Sequence, residues 1–215
     1  MIKLYAPLGK IIVIDKAGQK KPAILLNKII LDDLPYLEMA VYAAMQFHVC
    51  DYGNLEEYYY KKTLTDNAFA DGHLDDCLES LHQKGLIVYT EAEEDFRALY
   101  QLLAWRNVRL NLKTIEEQVT NYFILRQKHV PIRTALQVFK KPKLTPLEKK
   151  IVQNIKDVSN QDKSMYELIL ALKNKQAPYN FKQQEALFYL QLVDEQQEYI
   201  SAFLGLLLKK QIIFE

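Results

Sequence analysis

The sequence of 215 residues predicts a mainly α-helical protein with small β elements, built as two similar units joined by a basic helical segment. Three observations lead to this prediction. Apolar residues recur at helical spacing over much of the chain. Residues 74–88 align without gaps on residues 200–214, at an offset of 126, so a helix-and-strand pattern occurs twice. Acidic and basic side chains fall into separate blocks of the sequence.

The first elements are predicted strands within residues 3–31. Residues 11–15 are rich in β-branched side chains, and residues 23–30 are mostly aliphatic. Between them, Gly18 favours a turn and Pro22 ends strand pairing. The pattern is typical of a β-hairpin.

Three helices and a strand are predicted to follow. From Leu34, apolar residues at helical spacing indicate a largely buried helix. Asn54 is predicted to cap a short second helix, with Glu57 as its capping-box partner. A third helix is predicted over residues 73–84, and Gly85 stands where a left-handed residue ends a helix. Residues 86–91 are predicted to form a strand.

The middle of the chain is predicted to be a basic connector over residues 96–143. Residues 96–103 indicate a helix, although a strand over residues 96–100 is an alternative. Thr114 and Glu117 have capping-box spacing before another helix, and the basic residues 140–143 are typical of a linker.

The last segment, residues 144–215, is predicted to form the second unit, as residues 1–95 form the first. Thr145 and Ser164 each stand three residues before a glutamate, which predicts two capping boxes. Another helical stretch is expected from about residue 181. A last helix is predicted to end near residue 210, before a strand over residues 212–214.

Three helices followed by a strand and a turn resemble the winged helix-turn-helix proteins. The resemblance covers about two-thirds of the chain and implies two winged-helix-like units. It also implies DNA binding, because these proteins commonly place the third helix in the major groove. The first ~90 residues, including IIVIDKAGQKKPAILLNK, also resemble the peptide-binding winged helices of peptide-maturation systems. There a leader peptide adds as a strand beside the third helix.

The distribution of charge indicates where partners would bind. Residues 31–95 carry fifteen acidic and three basic side chains, whereas residues 96–182 carry seventeen basic and six acidic ones. We therefore expect double-stranded DNA to contact the basic segment through its phosphates. The candidate contacts are Arg97, Arg106, Arg109, Lys140, Lys141, Lys143, Lys149, Lys150 and Lys182. The function predicted first is a non-enzymatic, DNA-binding transcriptional regulator.

The acidic first unit is predicted to dock a protein or peptide partner, or to form a homodimer. Both predicted third helices lack the Arg, Asn and Gln residues that commonly read bases. The alternative function is therefore a winged-helix adaptor that binds a protein or peptide and no DNA. The candidate docking residues are Tyr58, Tyr59, Asp75, Asp76 and Glu79.

Other functions find little support in the sequence. No phosphate-binding, metalloprotease or serine-hydrolase motif occurs, so we expect neither an enzyme nor a cofactor. His73 and Cys77 have the i, i+4 spacing of metal ligands, but Cys77 shares an apolar helix face, so no metal site is predicted. We expect a cytoplasmic protein, because the sequence has no secretory signal, no membrane-spanning apolar run and only two cysteines.

Overall fold

A computed structural model of the protein describes residues 2–63, 73–111, 115–127, 129–157, 163–173 and 194–215. The strands in these ranges are β1 (Ile2–Pro7), β2 (Lys10–Lys16), β3 (Gln19–Leu26), β4 (Ile29–Leu31), β5 (Cys50–Asp51), β6 (Ile87–Ala92), β7 (Val108–Leu110) and β8 (Ile212–Phe214). The helices are α1 (Tyr36–Met45), α2 (Tyr52–Thr63), α3 (Leu74–Gln83), α4 (Asp95–Leu103), α5 (Ile115–Gln127), α6 (Ile132–Ala135), α7 (Pro146–Lys156), α8 (Met165–Leu172) and α9 (Asp194–Leu208). A 3-10 turn, Leu136–Phe139, follows α6.

The described strands form three antiparallel sheets. In the first, β1 lies between β5 and β6, so that Leu4 is opposite both Asp51 and Thr90. The second is a meander of β2, β3 and β4. The third pairs β7 with β8, and a bridge between Asn107 and Ser164 extends it.

The prediction of a mainly α protein is wrong. Three antiparallel sheets accompany nine helices in the described part of the chain, where 52% of residues are helical, so the fold mixes α and β structure. The strands β4, β5, β7 and β8 have only two or three residues each. Such strands are too short to show an alternating pattern. Pairing with distant strands fixes β5, β7 and β8, whereas β4 pairs with the neighbouring β3.

Helix ends test the predictions made from single residues. The capping boxes at Thr145 and Ser164 are both confirmed, and Gly85 adopts the expected positive φ of +66°. Asn54 is not the residue that begins α2, because the Asp51 carboxylate accepts a hydrogen bond from the Asn54 backbone N–H at 2.8 Å. Residues 96–100 are helical, as part of α4. The predicted capping box at Thr114 and the helical stretch expected from about residue 181 lie outside the described residues, whereas the predicted last helix and strand correspond to α9 and β8.

The same order of elements occurs twice, and we call the two sets the first and second units. The first unit contains β1, α1, β5, α2, α3 and β6. The second contains β7, α7, the bridge at Ser164, α8, α9 and β8. The strand β7 falls within the residues predicted as connector, and it occupies the position in the second unit that β1 has in the first.

The ends of α3 and α9 set the alignment of the two units. The Leu86 N–H donates to the Leu81 carbonyl at 2.9 Å, and the Gln211 N–H donates to the Leu206 carbonyl at the same distance. The left-handed residue is Gly85 in one turn and Lys210, with a φ of +57°, in the other. The structural offset between the units is therefore 125 here, and the offset of 126 taken from the sequence is wrong by one residue.

A buried glutamate paired with a lysine occurs at the same place in both units. Glu38, 7% exposed, lies in the first turn of α1, and its carboxylate contacts the Lys84 ammonium at 2.5 Å. Glu148, 3% exposed, lies in the first turn of α7 and contacts the Lys209 ammonium at 2.6 Å. Each lysine directly follows the third helix of its unit, so each pair joins the start of one helix to the end of another.

The first sheet lies between two hydrophobic cores. Tyr5 and Ile87 belong to the core formed with α1, α2 and α3, whereas Leu4, Ala6 and Val88 belong to the core formed with α4 and the second unit. Successive residues of a strand point to opposite faces, so β1 contributes to both cores. The central strand therefore joins the two units.

We expect Glu148→Gln to lower the free energy of unfolding by roughly 2 kcal/mol at pH 7. The value is below the 3–5 kcal/mol lost when a fully buried pair is broken, because the Lys209 side chain is partly exposed. Urea denaturation measures the change. The control is Glu167→Gln, which alters the capping box of α8 at an exposed glutamate.

The pH dependence of that difference is a second readout of the same variant. Burial raises the pKa of Glu148, but hydrogen bonds from Lys209 and from the Thr145 backbone outweigh burial and hold the pKa below its ordinary value. The stabilisation is therefore complete above the glutamate pKa of the unfolded chain, about 4.3, and is lost as the pH falls through the lower folded value. A difference between the two proteins that does not shrink at low pH would contradict this assignment.

Candidate nucleic-acid interface

A cleft with a volume of about 1040 Å³ lies between α7 and the segment that precedes it. Six lysines line it: Lys140, Lys141, Lys143, Lys149, Lys156 and Lys209. No Asp or Glu is among the described residues of its lining, which otherwise consists of amide and apolar side chains. We call this feature the lysine cleft.

One wall of the lysine cleft is a face of α7. The Thr145 hydroxyl accepts the Glu148 backbone N–H at 3.2 Å, and this capping box fixes where α7 begins. Lys149, Val152 and Lys156 follow at positions that share one side of the helix, and all three line the cleft. The two lysines are exposed, whereas Val152 is half-buried.

The opposite wall is the 3-10 turn and the extended residues after it. Gln137, Val138 and Phe139 line the cleft from the turn, and residues 140–144 continue the wall as far as the cap of α7. Phe139 is 41% exposed, and its ring lies 5.8 Å from that of Tyr122 on α5. The wall therefore combines exposed ammonium groups with an aromatic surface.

Lys209 differs from the other five lysines of the cleft. Its ammonium donates to both oxygens of the buried Glu148 carboxylate, at 2.7 Å and 2.6 Å. Gly205 faces the same carboxylate, where the first unit has Ser80, whose hydroxyl donates to Glu38 at 2.9 Å. The charge of Lys209 is thus neutralised within the protein, and the remaining lysines are the ones that can meet an anion.

The lysine cleft exists because the two units differ in what precedes their first helix. In the first unit this position of the first helix is closed: Tyr42 is fully buried in the core that contains Ile24 of β3, and its hydroxyl donates to the Leu8 carbonyl at 2.6 Å. By the helix alignment, Val152 is the counterpart of Tyr42. In the second unit α5, α6 and the 3-10 turn stand in place of the meander and leave this face open.

The structure separates the predicted phosphate contacts into several groups. Lys140, Lys141, Lys143 and Lys149 line the lysine cleft together. Lys150 is exposed on α7 outside the lining, and Arg97 is exposed on α4. Three others lie elsewhere: Arg106 lines a separate cleft, Arg109 is ion-paired to Glu215 at 2.8 Å, and Lys182 is outside the described residues. Lys156 was missed, although its spacing of seven residues from Lys149 places both on one helix face.

The predicted docking residues lie on the first unit and are not equivalent to one another. Asp75, Asp76 and Glu79 are exposed along α3. Tyr58 is half-buried, and Tyr59, at 6% exposed, belongs to the core and cannot contribute a docking surface.

The exposed faces of the third helices are not basic. The exposed residues of α3 include three acids, and the described side chains of α9 expose Glu198, Ser201 and Leu208. A carboxylate facing the phosphates of DNA is repelled, and an apolar or hydroxyl side chain does not neutralise them. The basic surface of the second unit therefore lies on its first helix.

Neither cysteine has the environment of a reactive thiol. Burial raises the pKa of the Cys77 thiol, and burial raises that of Cys50 to about 11. Within the described ranges, no group of three or more His, Cys, Asp or Glu side chains is placed to hold a metal ion. Among the helices described, none combines the length and the apolar character needed to cross a membrane.

Comparisons with known proteins give no relative. No family model, no curated protein and no solved structure matches this chain. The function must therefore be argued from the site.

We expect the lysines of the cleft to differ in chemical reactivity. With limiting acetylating reagent, the exposed Lys140, Lys141 and Lys149 should react several-fold faster than Lys209, because the ammonium of Lys209 is ion-paired and must leave a buried carboxylate before it reacts. Mass spectrometry of the digested protein gives the order of modification. Lys209 reacting as fast as Lys149 in the folded protein would contradict the ion pair.

Proposed function

We propose that this protein is a non-enzymatic regulator that binds double-stranded DNA through phosphate contacts in the lysine cleft. The observation that carries the proposal is the convergence of five exposed lysines on one cleft whose described lining contains no carboxylate. Such a surface attracts polyanions, and nucleic acid is the polyanion that a regulator of transcription must bind. The resemblance to winged helix-turn-helix proteins supports the same function.

The spacing of the lysines fits a phosphate backbone. Lys149 and Lys156 are seven residues apart on α7, a separation of about 10.5 Å along the helix axis. One strand of a duplex rises about 3.4 Å along the helix axis per phosphate, so the two ammonium groups can reach phosphates that differ by about three steps in height along that axis. Lys140, Lys141 and Lys143 on the opposite wall can meet phosphates from the other side of the cleft.

Contacts of this kind position DNA without reading its sequence. Lysine is a compact charge on a flexible stem, and in the described part of the chain no buried carboxylate holds any of the five exposed cleft lysines as Glu148 holds Lys209. The exposed face of α3 is acidic and is a poor candidate for insertion into a groove. We therefore expect binding with low sequence preference and a strong dependence on salt.

The first test is K140Q/K141Q/K143Q, measured by fluorescence anisotropy with a labelled random duplex between 50 and 200 mM salt. We expect the wild-type affinity to fall steeply with salt. The variant should reduce the slope of log K against log salt by about 3, because three phosphate contacts are lost, and should bind at least tenfold more weakly at low salt.

The matched control is K20Q/K21Q/K28Q, which removes the same charge from exposed lysines at the meander. If both variants weaken binding equally, the attraction is a property of net charge and the cleft is not the site. No binding by the wild-type protein at 50 mM salt would overturn the function itself.

A second candidate function is a protein- or peptide-binding adaptor, and one observation favours it. Asp75, Asp76 and Glu79 form an exposed acidic face on α3. Charge complementarity selects a basic partner for such a face. The peptide-binding winged helices that the first ~90 residues resemble support this reading.

The adaptor function makes a separate prediction. A labelled Lys/Arg-rich peptide should bind the wild-type protein, and D75N/D76N/E79Q should weaken binding at least tenfold, because rim charges control the attraction. D32N/D33N/D15N, an equal change of charge at the meander, is the control. Binding that survives the change on α3, or that both variants weaken alike, would exclude that helix as the docking face.

A further inference from the structure

A second cleft, with a volume of about 440 Å³, lies between the two units and shares no lining residue with the lysine cleft. The first unit contributes His82, the turn at Gly85 and residues from the start of β6, and the meander contributes Leu26 and Asn27. Arg106, Asn107 and Glu215, which flank β7 and β8, line the other side. A molecule bound here would contact both units at once.

Arg106 is the unusual residue of this cleft. Its side chain is half-buried, yet it has no ion pair or hydrogen bond to any residue that the structure describes. Arg109 is different, because its guanidinium is paired with the Glu215 carboxylate at 2.8 Å. Burial lowers the pKa of Arg106. A guanidinium has five N–H donors and remains charged, so Arg106 presents to the cleft a cation that no described residue neutralises.

The other polar groups of the cleft differ in what they can offer an anion, and the side-chain amide N–H groups of Asn27 and Asn107 are donors. The Nδ1 atom of His82 lies 3.2 Å from the Ile87 carbonyl oxygen. Because a carbonyl only accepts, Nδ1 carries the proton, and Nε2 of that ring has a lone pair and donates no hydrogen bond to an anion. The ring is further held against Tyr89, at 4.9 Å between centroids. Glu215 also lines the cleft, and its side-chain carboxylate is paired with Arg109 at 2.8 Å.

We propose that the cleft between the units binds a small organic oxyanion, a phosphate monoester or a carboxylate, through the guanidinium of Arg106. The planar fork of arginine donates two parallel hydrogen bonds to a pair of oxygens, which both kinds of anion supply. The cleft volume is within the range of small-molecule sites and is larger than a bare ion needs. The anionic group is therefore part of a larger organic molecule. The inference is independent of DNA binding.

The experiment follows the ring signals of the four histidines by NMR in the full chain. The K140Q/K141Q/K143Q protein is the background, so that most of the lysine cleft is removed as a competing anion site. The probes are phenyl phosphate and benzoate, added at constant ionic strength. His82 is the histidine that lines the cleft, so we expect its signal to shift and saturate with at least one probe, while that of His73 stays unchanged.

Variants of Arg106 test whether its guanidinium binds the anionic probe. Arg106→Gln should weaken binding roughly tenfold or more, because a charged hydrogen-bond donor is lost, and Arg106→Lys should weaken it less. Arg97→Gln, a change at an exposed arginine outside the cleft, should have no effect. Saturation by one probe alone identifies the anion as phosphate or carboxylate.

Other outcomes overturn the inference. A shift of His82 that is linear in both probes, or unchanged in Arg106→Gln, shows that the cleft is not the site. Saturation in the wild-type protein that disappears in the lysine background shows that the anion binds at the lysine cleft instead. Absence of DNA binding has no bearing on any of these readouts.

Discussion

A buried glutamate held by one lysine determines how the helices of each unit are arranged. Glu38 and Glu148 lie in the first turn of the first helix, where a negative charge is favourable to the helix dipole. Lys84 and Lys209 come directly after the third helix, where a positive charge is favourable. One ion pair thus satisfies both helix ends and sets their separation. Removing the lysine would leave a buried carboxylate without its ion pair, so the pair constrains the rest of the unit.

The turn after each lysine leads into the last strand of the unit. The left-handed residue, the closing hydrogen bonds and the start of the strand are the same at Gly85 and at Lys210. The next contact is also repeated, because the N–H groups of Leu8 and Asn111 donate to the carbonyls of Leu86 and Gln211 at 2.8 Å each. The common scaffold therefore extends from the first helix to the central strand. The units differ in the segment inserted between the central strand and the first helix, and that difference opens the lysine cleft.

Local chemistry explains which parts of the fold and of the candidate site the sequence predicts. The two capping boxes and the turn at Gly85 depend only on neighbouring residues, so the sequence predicts them. The excess of basic residues in 96–182 also identifies the cleft lysines within residues 140–149, because they are close together in the sequence. The position of β7 depends on β8, about a hundred residues further along, and three residues carry no periodic signal. The charge pattern of the sequence cannot show that Lys209 is neutralised, because its partner Glu148 is sixty-one residues away. Nor can it show that Arg106 lines a different cleft. Position in the fold decides which cations are available.

Two kinds of positive site therefore occur in one chain, and their chemistry selects different anions. The exposed lysines are hydrated, flexible point charges spread over a large open cleft, an arrangement that suits a repeating polyanion. Arg106 is a single, half-buried planar cation in a smaller cleft, an arrangement that suits one defined oxyanion. Since Arg106 lies between the units, an anion there would stabilise their present arrangement by RT ln(1 + L/Kd), where L is the anion concentration. Such an anion would contact both units, and the second unit is the one that contains the lysine cleft.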